Sequence, residues 1–175
     1  MTTATPDAAL AAALRRAAAA GSPAVHRSDS ITALRAAFRA AAAPDLQRLV
    51  GVHQAFFAGP LWLRSPSPLA IAVLGMPGWA GKRFPGPVVD GVLSGCNLRR
   101  SGGELAPSLP MTARVEAAAL DGRAAIVAQY SDGAPRPWRS VRDEFRALGP
   151  EVLLGLSYGL TPTSGGLPFL LLRRG

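Results

Sequence analysis

The chain's single lysine stands in a segment of small and turn-forming residues. Residues 75–84 read GMPGWAGKRF, and every other basic residue of the chain except the two histidines is an arginine. A phosphate-binding loop is excluded, because Arg83-Phe84 follow the lysine where GxxxxGK[ST] needs Ser or Thr for magnesium. We therefore expect Lys82 or Arg83 to be aimed over the mouth of a ligand cavity by a close-packed Gly-Trp turn.

A carboxylate partner for that cation is offered by the segment WRSVRDEFRALGP, residues 138–150. The spacing of its apolar residues fits either a helix or a strand. As a helix it leaves Asp143 exposed. As a strand it turns Asp143 inward beside Phe145, where a carboxylate must be paired or protonated. The strand alternative also predicts that the remaining charged side chains face water: Arg142, Glu144 and Arg146.

Four further side chains are candidates for acid, base or nucleophile chemistry. Tyr130 ends a strand and can equally be a rim residue, and Tyr158 lies in LSYG, whose inward face the sequence does not determine. His53 stands close to two phenylalanines, where a histidine is usually structural. Cys96 has no histidine near it in sequence and is expected to be a small buried hydrophobe. We find no Ser-His-Asp order, no paired catalytic carboxylates and no dinucleotide fingerprint, so no cofactor is expected.

The composition argues against a metal site, an intramolecular disulfide and nucleic-acid binding. One cysteine allows no intramolecular disulfide, and two histidines without HxxH spacing make a histidine metal site unexpected. The net charge is +8, which favours nucleic acid. The arginines are nevertheless scattered singly and in pairs with few aromatic residues between them, which argues against that partner.

The first 50 residues predict a helical extension. PDAALAAALRRAAAA is a polyalanine-like helix with little to bury, expected to be loosely attached, and DLQRLVG predicts a further helical turn. In SDSITALRAAFRAAAA, Ser28 or Ser30 is the expected N-cap. Its apolar stripe, at helical spacing, must pack on the rest of the chain or on a second copy in a homodimer. The stripe consists of Ile31, Leu34, Phe38 and Ala41.

Residues 51–175 predict a β-barrel domain. Strand candidates are GPLWLRS, VVDGVLSGCNLRR, a hairpin through Asp121-Gly122, EVLLGLSYG and LPFLLLRRG, with TPTSGG as the turn before the last. SPSPLAIAVLG predicts a short helix ending at Gly75. Small residues on the strands favour an internal cavity over a filled interior, although they also permit close packing. The fold class expected is a mainly β, antiparallel lipocalin-like barrel.

Three segments of this region resemble the small lipocalin-like proteins of the GXWXG family. They are MPGWAGKRF, RDEFRALGPEVLLGL and the closing PFLLLRR, and the resemblance covers residues 50–175. The namesake Gly-x-Trp-x-Gly is replaced by GVHQAFFAGP, with Phe56-Phe57 near the tryptophan position. The resemblance implies a calycin-type barrel with a pocket for an apolar molecule, favours the strand at 139–147 and assigns no reaction.

Two alternative functions are expected for such a cavity. In the first, the protein binds an apolar lipid-, terpenoid- or polyketide-like molecule, capped by the helix at 68–75. In the second, it is a cofactor-free cyclase or isomerase, with Asp143, Tyr130, Tyr158 or His53 as acid or base. The expected ligand-binding residues are Phe57, Trp62, Met76, Trp79, Lys82, Arg83, Phe84 and Phe145. Without a long apolar stretch or a signal peptide, a cytoplasmic location is expected.

Overall fold

Eight antiparallel strands close into one barrel in this computed structural model, which describes residues 5–42, 45–161 and 165–174. Neighbouring strands are consecutive in sequence, and the first pairs with the last from Val52↔Arg174 to Phe57↔Phe169. The expected antiparallel, mainly β barrel is therefore confirmed. The strands are β1 Gly51–Phe57, β2 Trp79–Phe84, β3 Leu93–Ser101, β4 Glu104–Ala117, β5 Ala124–Tyr130, β6 Arg142–Ala147, β7 Val152–Tyr158 and β8 Leu167–Arg174.

Four α-helices accompany the barrel, two before β1 and two between β1 and β2. They are α1 Pro6–Ala19, α2 Ile31–Ala40, α3 Leu61–Arg64 and α4 Ser67–Val73, with 3-10 turns at Leu46–Leu49 and Trp138–Ser140. Ser30 is the N-cap of α2, where its hydroxyl accepts a hydrogen bond from the Ala33 amide. No described helix combines the length and apolarity that crossing a bilayer requires.

Strands β6 to β8 are largely buried on both faces. In β7 and β8 this explains why the apolar residues run almost without interruption. Inside the barrel lie Asp143, Phe145, Leu153 and Phe169, while Leu154, Leu156 and Leu170 pack outside against the N-terminal helices. Gly155 is required here because a Cβ at this position would lie 2.6 Å from the Phe169 ring. The small residue thus makes room for an inward aromatic side chain.

The helices α1 and α2 cover the outer face of β6–β8. In α1, Leu10, Leu14 and the small Ala13 and Ala17 are buried, so the expectation of a loosely attached helix is wrong. Alanines suffice because their small side chains let the helix approach the sheet closely. The predicted stripe of α2 is used within the chain as well: Leu34, Phe38 and Ala41 are buried against the barrel, while Ile31 stays half-exposed.

Two charged residues expected to face water are in fact buried under these elements. Glu144 accepts hydrogen bonds from the Ala119 amide and the Arg142 guanidinium, and it is fully buried. The buried Arg146 pairs with Asp121 at 2.7 Å and stacks over the Phe38 ring. Alternation along β6 places these side chains outside the barrel as predicted, but the helices and the loop at 118–123 exclude water there.

Several element assignments need correction. GPLWLRS contains helix α3 instead of a strand, and the strand of this region lies earlier, at GVHQAFF. The Gly-Trp segment is a strand, β2, whose Gly81 approaches β1 so closely that a Cβ would clash with the carbonyl oxygen of His53. The segment at 138–150, for which helix and strand were both possible, forms a 3-10 turn followed by strand β6. The predicted TPTSGG turn spans residues 162–164, which lie outside the described residues.

Candidate ligand-binding site

A cavity of about 160 Å³ lies inside the barrel, beneath helices α3 and α4. One wall is formed by the two helices, through Leu63, Ala70, Ile71 and Leu74. The barrel supplies mainly aromatic lining, from Phe57, Trp79, Trp138 and Phe169. The cavity is thus bounded mainly by apolar side chains, as ligand-binding cavities usually are.

The floor of the cavity holds a buried ion pair. Lys82 Nζ lies 2.8 Å from Asp143 Oδ2, and the two side chains are 1% and 5% exposed. Lys82 extends from β2 and Asp143 from β6, so the pair crosses the barrel interior. Within an apolar wall this arrangement avoids the cost of either charge being buried alone.

Three polar side chains complete the floor network. Asn97 Oδ1 accepts hydrogen bonds from Lys82 Nζ at 2.9 Å and from Trp79 Nε1 at 3.1 Å. The Tyr130 hydroxyl accepts hydrogen bonds from Asn97 Nδ2 at 2.7 Å and Lys82 Nζ at 3.2 Å, and it lies 3.5 Å from Asp143 Oδ2. Lys82, Asn97, Tyr130 and Asp143 each contact at least two others of the network, which fixes the polar end of the cavity.

The network holds its groups in defined protonation states. Burial disfavours the charged form of Lys82, but the Asp143 charge and Tyr130 outweigh it and raise the lysine's pKa above its usual value. Burial raises the pKa of Tyr130 to about 12, although Lys82 acts in the opposite direction. At neutral pH the floor thus contains an ammonium and a phenol.

The helical lid is attached to the barrel at a defined point. Trp138 Nε1 donates a hydrogen bond of 2.7 Å to the Leu74 carbonyl oxygen, just after α4 ends. The Ser67 hydroxyl links the two helices by donating to the Leu63 carbonyl oxygen at 2.7 Å. The predicted helix at 68–75 is therefore present and covers the cavity.

Half of the predicted site residues meet in this cavity. Asp143 and Tyr130, expected to act as acid or base, lie on its floor, and Asp143 is paired with the predicted cation Lys82. The other predicted ligand-binding residues that line it are Phe57, Met76 and Trp79.

The remaining predicted residues lie elsewhere. Arg83 is exposed, because the alternation of β2 points it away from Lys82. Trp62 is 70% exposed on the outer face of the lid. Phe84 and Phe145 are fully buried and pack in the barrel interior, outside the cavity lining.

His53 and Tyr158 also do not line the cavity. His53 is buried, with Nε2 lying 2.9 Å from the Leu49 carbonyl oxygen, and burial lowers the pKa of its imidazole. Tyr158 packs outside the barrel against the helices, and burial raises the pKa of its phenol to about 12. Neither side chain reaches the cavity, which leaves Tyr130 and Asp143 as the candidates for acid or base chemistry there.

Several cavity and network residues were not predicted as site residues, and three of them bear on its polar contacts. Asn97 is the cross-strand partner of Lys82, a relation visible only once β2 is recognised as a strand. Ser157, the partner of Asp143 on β7, follows from the inward alternation of that strand. Trp138 had been assigned to the helix alternative for its segment, and its indole in fact reaches both cavity and lid.

Comparison with known proteins supports the fold alone. A crystal structure of a protein from Thermomonospora curvata superposes with a TM-score of 0.61 at 21% identity, over 94% of this chain and 97% of that one. No protein-family model matches the chain, and no curated protein matches it. Within the described residues, no group of three or more His, Cys, Asp or Glu side chains is arranged to hold a metal ion.

Proposed function

We propose that this protein binds a compact apolar small molecule inside its barrel. The supporting observation is a mainly aromatic and aliphatic cavity of about 160 Å³ that ends on a fixed polar network. A dry apolar cavity of about 150 Å³ accommodates benzene. The ligand class is therefore a single ring or short branched chain, such as a small terpenoid or a short polyketide- or lipid-like unit, with larger molecules requiring displacement of the lid.

Two of the segments resembling GXWXG proteins supply the floor of this site. WAGKRF carries Lys82 and RDEFR carries Asp143, and these side chains are bonded to each other. Membership of that family is part of the proposal.

Binding can be tested by filling the cavity. We expect isothermal titration calorimetry with 4-isopropyltoluene, 4-isopropylphenol and similar single-ring compounds to give saturable binding to the intact chain. Ser157→Phe should abolish it, because Ser157 lines the cavity. Ser94→Phe is the matched control on an exposed position of β3. Undiminished binding to Ser157→Phe, or none to the unaltered protein, would refute the proposal.

A second candidate function, a cofactor-free isomerase or cyclase, is favoured by one observation. The neutral phenol of Tyr130 and the carboxylate of Asp143 lie 3.5 Å apart in the same apolar cavity. Such a pair can donate a hydrogen bond to a carbonyl oxygen while the carboxylate takes a proton from the adjacent carbon. Return of that proton to another carbon completes an isomerisation with no cofactor. Because Asp143 is already held in a salt bridge with Lys82, binding remains the first proposal.

Exchange of carbon-bound protons distinguishes the two functions. A small cyclic enone incubated with the protein in deuterated water should gain deuterium beside its carbonyl if the second function holds. NMR would follow the exchange, and Tyr130→Phe and Asp143→Asn should each abolish it. Recovery of the enone without deuterium, together with saturable binding, would leave binding alone.

A further inference from the structure

Lys82 is fully occupied by the protein itself. Its ammonium has three N–H groups. Its oxygen acceptors are Asp143 Oδ2 at 2.8 Å, Asn97 Oδ1 at 2.9 Å and the Tyr130 hydroxyl at 3.2 Å, and Met111 Sδ lies 3.8 Å away. The sequence predicted that this cation, or Arg83, is aimed over the mouth of a ligand cavity. The geometry leaves no N–H of Lys82 for a contact with a ligand.

Asp143, by contrast, has an acceptor to spare. Its Oδ2 atom takes the Lys82 hydrogen bond, whereas no described residue donates to Oδ1. The residue lines the cavity although its side chain is only 5% exposed. An ionised carboxylate can only accept hydrogen bonds. The cavity therefore offers a guest a strong acceptor.

The hydroxyl groups beside this acceptor are neutral. Tyr130 already accepts two hydrogen bonds, from Asn97 and Lys82, so its own proton is available for the distant Asp143 Oδ2 or for a guest. Ser157, next to Asp143 across the strand pair, also lines the cavity. A guest thus meets one carboxylate oxygen and two hydroxyls.

We propose that the polar end of the ligand is an uncharged hydroxyl, as in an alcohol, a phenol or an enol, and that carboxylates are rejected. This inference rests on the proposed binding function. The guest hydroxyl donates to Asp143 Oδ1 and accepts from Tyr130. The positive charge of Lys82 is already compensated by Asp143. A guest carboxylate would therefore place a second negative charge beside Asp143, and repulsion of like charges in an apolar site opposes this.

Three ligands that differ only in their polar end test the proposal. Calorimetry at neutral pH with the full chain would compare 4-isopropylphenol, 4-isopropylbenzoate and 4-isopropyltoluene. We expect the phenol to bind about tenfold more tightly than the hydrocarbon, as a hydrogen bond to a charged acceptor provides. The benzoate should bind most weakly. A benzoate affinity equal to or above that of the phenol would overturn the inference, as would equal affinities of phenol and hydrocarbon. Absence of all binding would instead refute the proposed function.

Two variants locate the preference on the floor of the cavity. Asp143→Asn should reverse the order, so that benzoate binds more tightly than phenol, because the Lys82 charge then lacks its partner. Tyr130→Phe keeps the ion pair and serves if the first variant does not fold. It should weaken phenol binding about tenfold and leave hydrocarbon binding unchanged. Tyr158→Phe, the matched control outside the cavity, should change neither, and a phenol preference that survives Tyr130→Phe undiminished would contradict the proposal.

Discussion

At the scale of single residues, Lys82 and Asp143 form the polar floor that distinguishes this cavity from a packing defect. The pair is almost completely buried, and its atoms approach to 2.8 Å. Buried ion pairs contribute little relative to apolar residues of similar size, but losing one partner is costly because the other charge remains uncompensated. The pair gives the floor of the cavity its charged groups.

Asp143→Asn should therefore lower the free energy of unfolding by about 3–5 kcal/mol. The double variant Lys82→Met/Asp143→Leu should lose less, because no charge is left buried alone. Urea unfolding at neutral pH measures both. Glu151→Gln breaks the exposed Arg16 pair as a control and should cost about 0–1 kcal/mol. A double variant no more stable than the single one would contradict this view of the pair.

The chain's two tyrosines give a titration that reports on the fold. Burial raises the pKa of both Tyr130 and Tyr158 to about 12, whereas the pKa of a tyrosine in an unfolded chain is about 10. The folded state consequently retains protons between these values, so stability is full below about pH 10 and falls as pH rises toward 12. The raised pKa of Lys82 acts in the same direction.

Phenolate absorbance, followed during an alkaline titration, should therefore show no transition near pH 10 while circular dichroism still reports a folded protein. Tyr130→Phe and Tyr158→Phe would assign the two contributions separately. A phenolate signal appearing near pH 10 in the folded protein would show that the tyrosines are solvated.

The inward position of Asp143 on the cavity floor could be predicted from sequence, whereas the side chains around it could not. Alternation on β6 predicts an inward Asp143, and an inward carboxylate predicts a cation, which limits the choice to Lys82 or Arg83. The role of Asn97 depends on the pairing of β2 with β3 and on a bulge between Cys96 and Asn97. Such register shifts are not encoded in hydrophobic periodicity.

At the scale of elements, the lid helices α3 and α4 have two apolar faces with different roles. The inner face, including Leu63, Ile71 and Leu74, lines the cavity. The outer face exposes Leu61, Trp62, Leu69 and Val73 to solvent. A sequence in which both faces are apolar gives no alternation from which to read the inner one, which is why Trp62 was assigned to the ligand.

Leu63→Ala should weaken binding of 4-isopropylphenol, while Trp62→Ala should leave it unchanged. The former removes part of the cavity wall, and the latter removes a side chain that is 70% exposed. Calorimetric titration of the two variants forms a matched comparison within one short helix. The reverse order of effects would place the ligand on the outside of the lid.

Strand assignments succeeded where both flanks carried turn residues and failed around the lid. The strands β3, β4, β5, β7 and β8 were predicted within a few residues. The strands β1 and β2 were missed because glycines and mixed polarity obscure their alternation, with burial in GVHQAFF following no strict period. The switch of GPLWLRS to helix reflects tertiary contacts with the barrel mouth.

At the scale of the whole molecule, two apolar cores share the wall formed by β6, β7 and β8. The inner core surrounds the cavity, and the outer core joins α1 and α2 to the barrel. The predicted division into an extension at 1–50 and a barrel domain at 51–175 stays a prediction. The surface on which the helices dock could not be read from sequence, because strands β7 and β8 are apolar on both faces and the outer face of β6 is charged.

Phe38→Ala should lower the free energy of unfolding by about 3–5 kcal/mol, because this side chain is fully buried in the outer core. Affinity for a cavity ligand should not change, since Phe38 lies outside the barrel. Ile31→Ala, at a half-exposed position of the same helix, should cost less. Loss of ligand affinity in a Phe38→Ala protein that remains folded would show that the two cores are coupled.

The most direct test of the account is a crystal structure of the full chain with 4-isopropylphenol. We predict a single ligand inside the barrel, its ring between Trp79, Trp138 and Phe169, and its hydroxyl within hydrogen-bonding distance of Asp143 Oδ1. A ligand found only on the outer face of α3 and α4, or an interior filled by rearranged side chains at saturating ligand, would contradict it.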